Sequence, residues 1–252
     1  MPARPQNRPP GHDREACLPP GRLAVFGSGP PPCGRFPRQG LYAITDKATS
    51  AGRDTLLVAE GLLRGGASIL QYRNKDVSDP MREGEAHKLR LLCWRCHACF
   101  IVNDQVDLAL ASRADGVHVG QGDMPVAEVR RRAGDRMIIG VSTHSPEQAV
   151  RAEAEGADYI GVGPVFATKT KKDVCPPVGL DYVEYAAREA RIPWVAIGGI
   201  QAGNLPEVLS RGARLVAMVS ALNGAPDVAA AARTAAEKIH AAASAYGPCR
   251  KG

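Results

Sequence analysis

What this chain lacks narrows its class before any motif is read. No apolar run approaches the ~18 residues that a membrane span requires. The first 38 residues hold no apolar core of about 7–15 residues of the kind that marks a secretory signal. No basic stripe with interleaved aromatics occurs, so nucleic acid is not an expected partner. Seven cysteines are present, and the odd count argues against a disulfide framework. Cys17, Cys33 and Cys249 fall in the tails and Cys175 in a loop. Apolar residues at 44% and charged residues at 23% exclude a fibrous or wholly disordered chain. The expectation is a cytoplasmic protein without membrane partners, for which a homo-oligomer is compatible with the sequence.

The cluster Cys93, Cys96, Cys99 needs a separate reading, because Cys93-Trp94-Arg95-Cys96-His97 fits the c-type haem attachment pattern. Covalent haem would require export and an accessible loop. The cluster instead falls where a helix ends and the strand Phe100-Ile101-Val102 begins, which favours thiols packed as small hydrophobes.

The charge that is present is unevenly placed. Of a formal +6, much sits before residue 40, where six arginines face only Asp13 and Glu15. The remainder is near balance, so the cations that matter are expected around one pocket, where they would attract an anion. Residues 1–38 are rich in Pro, Gly and Arg and read as a disordered leader, with prolines and glycines opposing an amphipathic targeting helix. The folded domain is expected over 39–245, followed by a flexible tail at 246–252.

Within that domain, eight short apolar runs alternate with stretches of helical spacing. The strand candidates are Leu41–Thr45, Ser68–Tyr72, Phe100–Asn103, Gly116–Val119, Met137–Val141, Tyr159–Val162, Trp194–Ile197 and Leu215–Val219, mostly rich in Val and Ile as in a covered parallel sheet. Helical spacing covers Thr55–Arg64, Arg82–Arg95, Val126–Arg132, Pro146–Glu155 and Leu205–Arg211. Glycines at Gly65-Gly66, Gly134, Gly156 and Gly212 close helices. Gly-Ala recurs at the helix-to-strand junction, at Gly66-Ala67, Gly156-Ala157 and Gly212-Ala213, a weak internal repeat of one β/α unit. Eight such units predict an α/β fold, a closed parallel (β/α)8 TIM barrel, with an open doubly wound sheet as the alternative.

Polar residues gather immediately after the strands: Gln71-Tyr72-Arg73-Asn74-Lys75, Asn103-Asp104, Gly120-Gln121-Gly122-Asp123, Ser142-Thr143-His144, Thr168-Lys169-Thr170-Lys171-Lys172-Asp173, Gly198-Gly199 and Val219-Ser220. In a barrel these all reach one rim, the C-terminal face that carries the chemistry. Gly198-Gly199 lets backbone approach a phosphate, and with Val219-Ser220 would form the anion site common after strands seven and eight. Asp104 and Asp123 suit Mg²⁺, which shares one or two carboxylates with substrate phosphates, or equally well serve as helix N-caps. Arg73, Lys75 and Lys171 read either as phosphate clamps or as solvated surface charge. The length and polarity of the loop at 168–173 favour a functional reading there. His144 reads as a structural residue or a general base.

These motifs, in this order, identify the segment from about residue 40 to 240 as resembling the thiamine-phosphate synthase family. The resemblance rests on the Gln71–Lys75 and Asn103-Asp104 segments, Asp115-Gly116-Val117-His118-Val119-Gly120-Gln121-Gly122-Asp123, Gly140-Val141-Ser142, Gly161–Phe166, Thr168–Asp173 and Ile197-Gly198-Gly199-Ile200. It implies a Mg²⁺-dependent transferase of thiamine biosynthesis. Such enzymes join 4-amino-2-methyl-5-hydroxymethylpyrimidine diphosphate to a thiazole ethyl phosphate with loss of pyrophosphate. By that resemblance Gln71, Tyr72, Arg73, Asn74, Lys75, Asn103, Ser142 and Lys171 hold the pyrimidine diphosphate. Thr168, Lys169, Thr170, Gly199, Val219 and Ser220 hold the thiazole phosphate, and Asp104 and Asp123 bind Mg²⁺. The nearest rival is the related thiazole tautomerase, which would have no need of a diphosphate clamp. A catalytically silent phosphate-binding barrel is the rival from another class. The leader, the Cys93–Cys99 cluster and the Gly247-Pro248-Cys249 tail depart from the family pattern without touching the rim.

Overall fold

The computed structural model describes residues 36–74, 77–168, 170 and 175–245. Eight parallel strands form a closed barrel in sequence order: β1 (Gly40–Ile44), β2 (Ala67–Tyr72), β3 (Cys99–Asn103), β4 (Gly116–Val119), β5 (Ile138–Thr143), β6 (Tyr159–Val162), β7 (Trp194–Ile197) and β8 (Leu215–Met218). The cylinder closes where β1 pairs with β8, Leu41 opposite Val216. Helices α1 (Thr55–Arg64), α2 (Asp79–Arg95), α3 (Val106–Ala111), α4 (Val126–Ala133), α5 (Pro146–Ala154), α6 (Gly179–Glu189) and α7 (Leu205–Ser210) follow the first seven strands. The short α8 (Ser220–Asn223) and the long α9 (Val228–Ala245) follow the last. None of the described helices is long and apolar enough to cross a membrane.

Local chemistry sets these boundaries. Asp54 caps α1 by accepting from the amides of Leu56 and Leu57 at 2.8 and 3.3 Å, and the helix buries Val58, Ala59, Leu62 and Leu63 on one stripe. Gly66 leaves it in the left-handed region at φ +95°, whereas Gly65 stays right-handed. α2 begins three residues before the expected Arg82, because Pro80 sits in its first turn, where its missing N–H costs nothing. β5 runs on through Ser142 and Thr143. Their polarity reads as loop, yet Thr143 is fully buried and donates to the carbonyl of Gly161 at 2.9 Å. Tyr182 of α6 packs its hydroxyl on Thr143 at 2.7 Å, and burial pushes that phenol up to about 12.

The two-residue period of the strands divides the core into two. Leu41, Leu70, Phe100, Val102, Val117, Ile139, Ile160 and Val216 face the helices, while Tyr42, Ile69, Cys99, Ile101, Tyr159, Val195, Leu215 and Ala217 fill the barrel interior. Phe36, ahead of β1, joins the interior set by stacking on Tyr159, centroids 4.0 Å apart and planes at 12°. The barrel's packing thus includes Phe36. Cys93 lies in the outer layer and Cys99 in the inner one, each fully buried. Burial also pushes the Cys93 thiol up. A thiol so enclosed cannot reach a haem vinyl group, and both cysteines pack as small apolar side chains.

Candidate active site

The C-terminal ends of the strands open on one cavity over the barrel interior. Gln71 and Arg73 reach it from β2, Asn103 from β3, Ser142 from β5, Thr168 and Thr170 from the segment after β6, Gly199 from β7, and Val219 and Ser220 from β8. His144 and Cys175 also line it. Strand parity explains Gln71 and Ser142, which occupy inward positions of β2 and β5. Tyr72, adjacent to Gln71, must face the other way; it is buried under α2 and donates its hydroxyl to Glu85 at 2.6 Å. Asn74 is likewise turned from the mouth, buried with Nδ2 donating to Glu85 at 3.0 Å. Both are anchors of the β2 end and not groups that face the cavity. Lys75, Lys169 and Lys171 lie outside the described residues.

Arg73 is set in place by the loop after β1. Its amide donates to Thr45 Oγ1 at 3.1 Å, and its Nη1 pairs with Asp46. The pair engages one guanidinium nitrogen, and among the described residues Nε has no hydrogen-bond partner, so Asp46 orients the cation without saturating its donors. Gly198 and Gly199, at φ +103° and +65°, fold against Pro164–Ala167. A Cβ on Gly199 would lie 2.6 Å from the Ala167 carbonyl oxygen, so only glycine allows the β7 turn to support the segment carrying Thr168.

Beneath the cavity runs a file of hydrogen bonds that sequence reading missed. Gln71 Nε2 donates to Tyr42 Oη at 2.9 Å; Tyr42 and Tyr159 share a 2.9 Å bond. Tyr159 meets His118 Nδ1 at 2.9 Å, and His118 Nε2 meets Ser142 Oγ at 2.9 Å. Gly140 makes room for it, since a Cβ there would sit 2.1 Å from Tyr159 Cζ. Burial pushes the phenols of Tyr42 and Tyr159 well up, so both stay protonated. Only one proton order gives both phenols an acceptor: Gln71 to Tyr42, Tyr42 to Tyr159, Tyr159 to Nδ1 of a His118 that carries its proton on Nε2, and Nε2–H to Ser142. Ser142 is then left to donate its own proton into the cavity. The signal was present in the sequence as polar residues at inward positions of apolar strands, His118 in Gly-Val-His-Val above all. His144, which lines the cavity, spends Nδ1 on the Gly163 carbonyl and its amide on Gln148.

The two aspartates stand apart from the central cavity. Asp104 follows β3 at φ +61°, its amide donating to the His118 carbonyl at 2.8 Å. It borders a groove on the outer rim with Asp79, Arg82 and Asp107. The N-cap alternative fails for Asp104, since Gln105 holds that position before α3. Asp123 is exposed and accepts the Gly120 amide at 2.7 Å, closing the turn after β4. Among the described residues no set of three or more His, Cys, Asp or Glu could hold a metal. Two carboxylates on neighbouring strand ends fit a hard cation that completes its shell with phosphate oxygens and water, not an all-protein cage.

A closed parallel barrel with amide, guanidinium and hydroxyl groups converging on its C-terminal mouth beside a Gly-Gly turn defines the class: a TIM-barrel enzyme. The chain belongs to the thiamine monophosphate synthase family, whose family model matches residues 41–222. It is 50% identical over 193 residues to the thiamine-phosphate synthase of Pelotomaculum thermopropionicum, covering 77% of this chain and 88% of that protein. Against the thiamine-phosphate synthase of Lawsonia intracellularis identity is 49% over 188 residues, 75% of this chain and 87% of that one. The solved thiamine phosphate pyrophosphorylase from Pyrococcus furiosus superimposes with a TM-score of 0.75 at 36% identity, covering 81% of this chain and 97% of that chain.

Proposed function

We propose that this protein condenses 4-amino-2-methyl-5-hydroxymethylpyrimidine diphosphate with thiazole ethyl phosphate, giving thiamine phosphate and pyrophosphate. The observation that carries this reading is a single cavity with two differently equipped sides, in a chain half identical to thiamine-phosphate synthases. Gln71, Arg73, Asn103 and Ser142, with Lys75 and Lys171, take the pyrimidine diphosphate. Thr168, Lys169, Thr170, Gly199, Val219 and Ser220 take the thiazole phosphate. Asp104 and Asp123 would hold Mg²⁺, which would supply positive charge against the leaving pyrophosphate.

The reaction needs no protein nucleophile. The bond from the pyrimidine methylene to the diphosphate oxygen breaks with its electron pair on pyrophosphate, and the aminopyrimidine ring stabilises the cation left behind. The thiazole nitrogen then supplies the pair for the new carbon–nitrogen bond. Arg73 stabilises the departing charge, as electrostatic catalysis requires. Ser142 and Gln71, ordered by the buried file of hydroxyls, orient the ring, and holding both substrates in one mouth supplies proximity.

The test is thiamine phosphate formation by the purified protein with both substrates, in Mg²⁺ and in chelator. Mg²⁺-dependent coupling supports the reading. Folded protein that binds the thiazole phosphate but yields no coupled product would transfer the assignment to a tautomerase or a silent barrel.

A further inference from the structure

The loop after β1 touches both sides of the mouth, because β1 lies between β2 and β8 in the barrel. Its near end carries Thr45 and Asp46, which hold Arg73. Its far end carries Arg53, whose side chain crosses to the segment after β8. There Nη1 donates to the Ala225 carbonyl at 2.7 Å and Nη2 to the Asn223 carbonyl, while Nε donates back to Ser50 within the loop at 3.0 Å. The side chain of Asn223, fully buried, donates to the Ile44 carbonyl at 2.9 Å and to Thr49 Oγ1 at 3.3 Å. α8 is thus pinned at its carbonyl end by a planar fork from the loop and by an amide returned to β1. Val219 and Ser220, on the cavity, stand one turn away.

Arg53 does not line the cavity, and its donors go to backbone carbonyls, so its part is indirect. We propose that Arg53 is a positioning residue for the phosphate of the second substrate. By fixing the carbonyl end of α8 it sets where Val219 and Ser220 stand. The loop from Thr45 to Arg53 is a brace whose two ends serve the two halves of the mouth. This rests on the reading of Val219 and Ser220 as thiazole phosphate contacts. A guanidinium suits the place because two carbonyls need two diverging donors from one planar group, which an ammonium on a flexible stem supplies less well.

The experiment compares Arg53→Met, Arg53→Lys and Asp46→Asn with the parent in the full-length protein, with melting curves to establish folding. Arg53→Met should raise KM for the thiazole phosphate about tenfold and leave KM for the pyrimidine diphosphate within about twofold. Arg53→Lys should recover part of the loss, and Asp46→Asn should give the opposite split. Calorimetric titration of thiazole phosphate should weaken in the same order without turnover. If Arg53→Met does not fold, Arg53→Lys carries the comparison. Equal changes in both KM values, or unaltered thiazole phosphate binding, overturn the brace. A parent protein that neither binds nor couples the thiazole phosphate overturns the functional reading instead.

Discussion

Ser142 ends a file of four other polar side chains, and the weakest point of that file is Tyr159. Its hydroxyl joins Tyr42 to His118. Tyr159→Phe keeps the ring over Gly140 and its stack with Phe36, but leaves Tyr42 and His118 Nδ1 each short of a buried partner. An unmet buried group costs ~1–3 kcal/mol, which is enough to turn His118 and release Ser142. The expected result is a rise of about tenfold in KM for the pyrimidine diphosphate, with KM for the thiazole phosphate unchanged, in steady-state assays varying each substrate. Because burial keeps the phenols protonated, the ratio of parent to variant should be flat across roughly pH 7–9. A ratio that varies through that window would mean that the file moves a proton and does more than orient Ser142.

At the scale of elements, the parallel barrel makes neighbours of strand ends that are far apart in the chain. Gly198-Gly199 and Thr168 were legible as rim residues because apolar runs stop where polar ones begin. Parity within a run was harder to read: in Leu70-Gln71-Tyr72 all three residues suit a strand, and only the closed sheet decides that Gln71 faces in and Tyr72 out. Likewise Asp46 and Arg53 look like ordinary loop charges, since their partners, Arg73 and the carbonyls of Asn223 and Ala225, lie on other β/α units. Asp104 and Asp123 belong to this scale as well. Each follows one of two adjacent strands, β3 and β4, tied by the Asp104 amide on the His118 carbonyl. On the proposed assignment of Mg²⁺ to this pair, Asp104→Ala and Asp123→Ala should each abolish most activity, with partial recovery in excess Mg²⁺, since either variant keeps one carboxylate. Activity of both variants undiminished in chelator would remove the metal assignment.

The whole molecule has a mouth and a floor, and the floor is where the interior cluster meets the residues ahead of β1. Polar groups fill the upper barrel from Gln71 to Ser142. Below them Ile69, Cys99, Ile101 and Leu215 are sealed from solvent, and Phe36 packs against this set from the strand-entry side. A buried hydrogen-bond file keeps its order only while water is excluded, so the floor supports the site from the far end. Phe36→Ala removes a stacked aromatic pair and part of a buried ring, together about 2 kcal/mol. For a domain of this size that corresponds to a fall in melting temperature of roughly 4–8 °C. Deletion of residues 1–38 removes the same ring and should lower the melting temperature by a similar amount, whereas a deletion that stops at residue 35 retains it. Differential scanning calorimetry of the three forms separates the cases. If deletion to 38 melts with the parent, Phe36 contributes nothing to the barrel, and Tyr159 must hold its place through Gly140, Tyr42 and His118 alone.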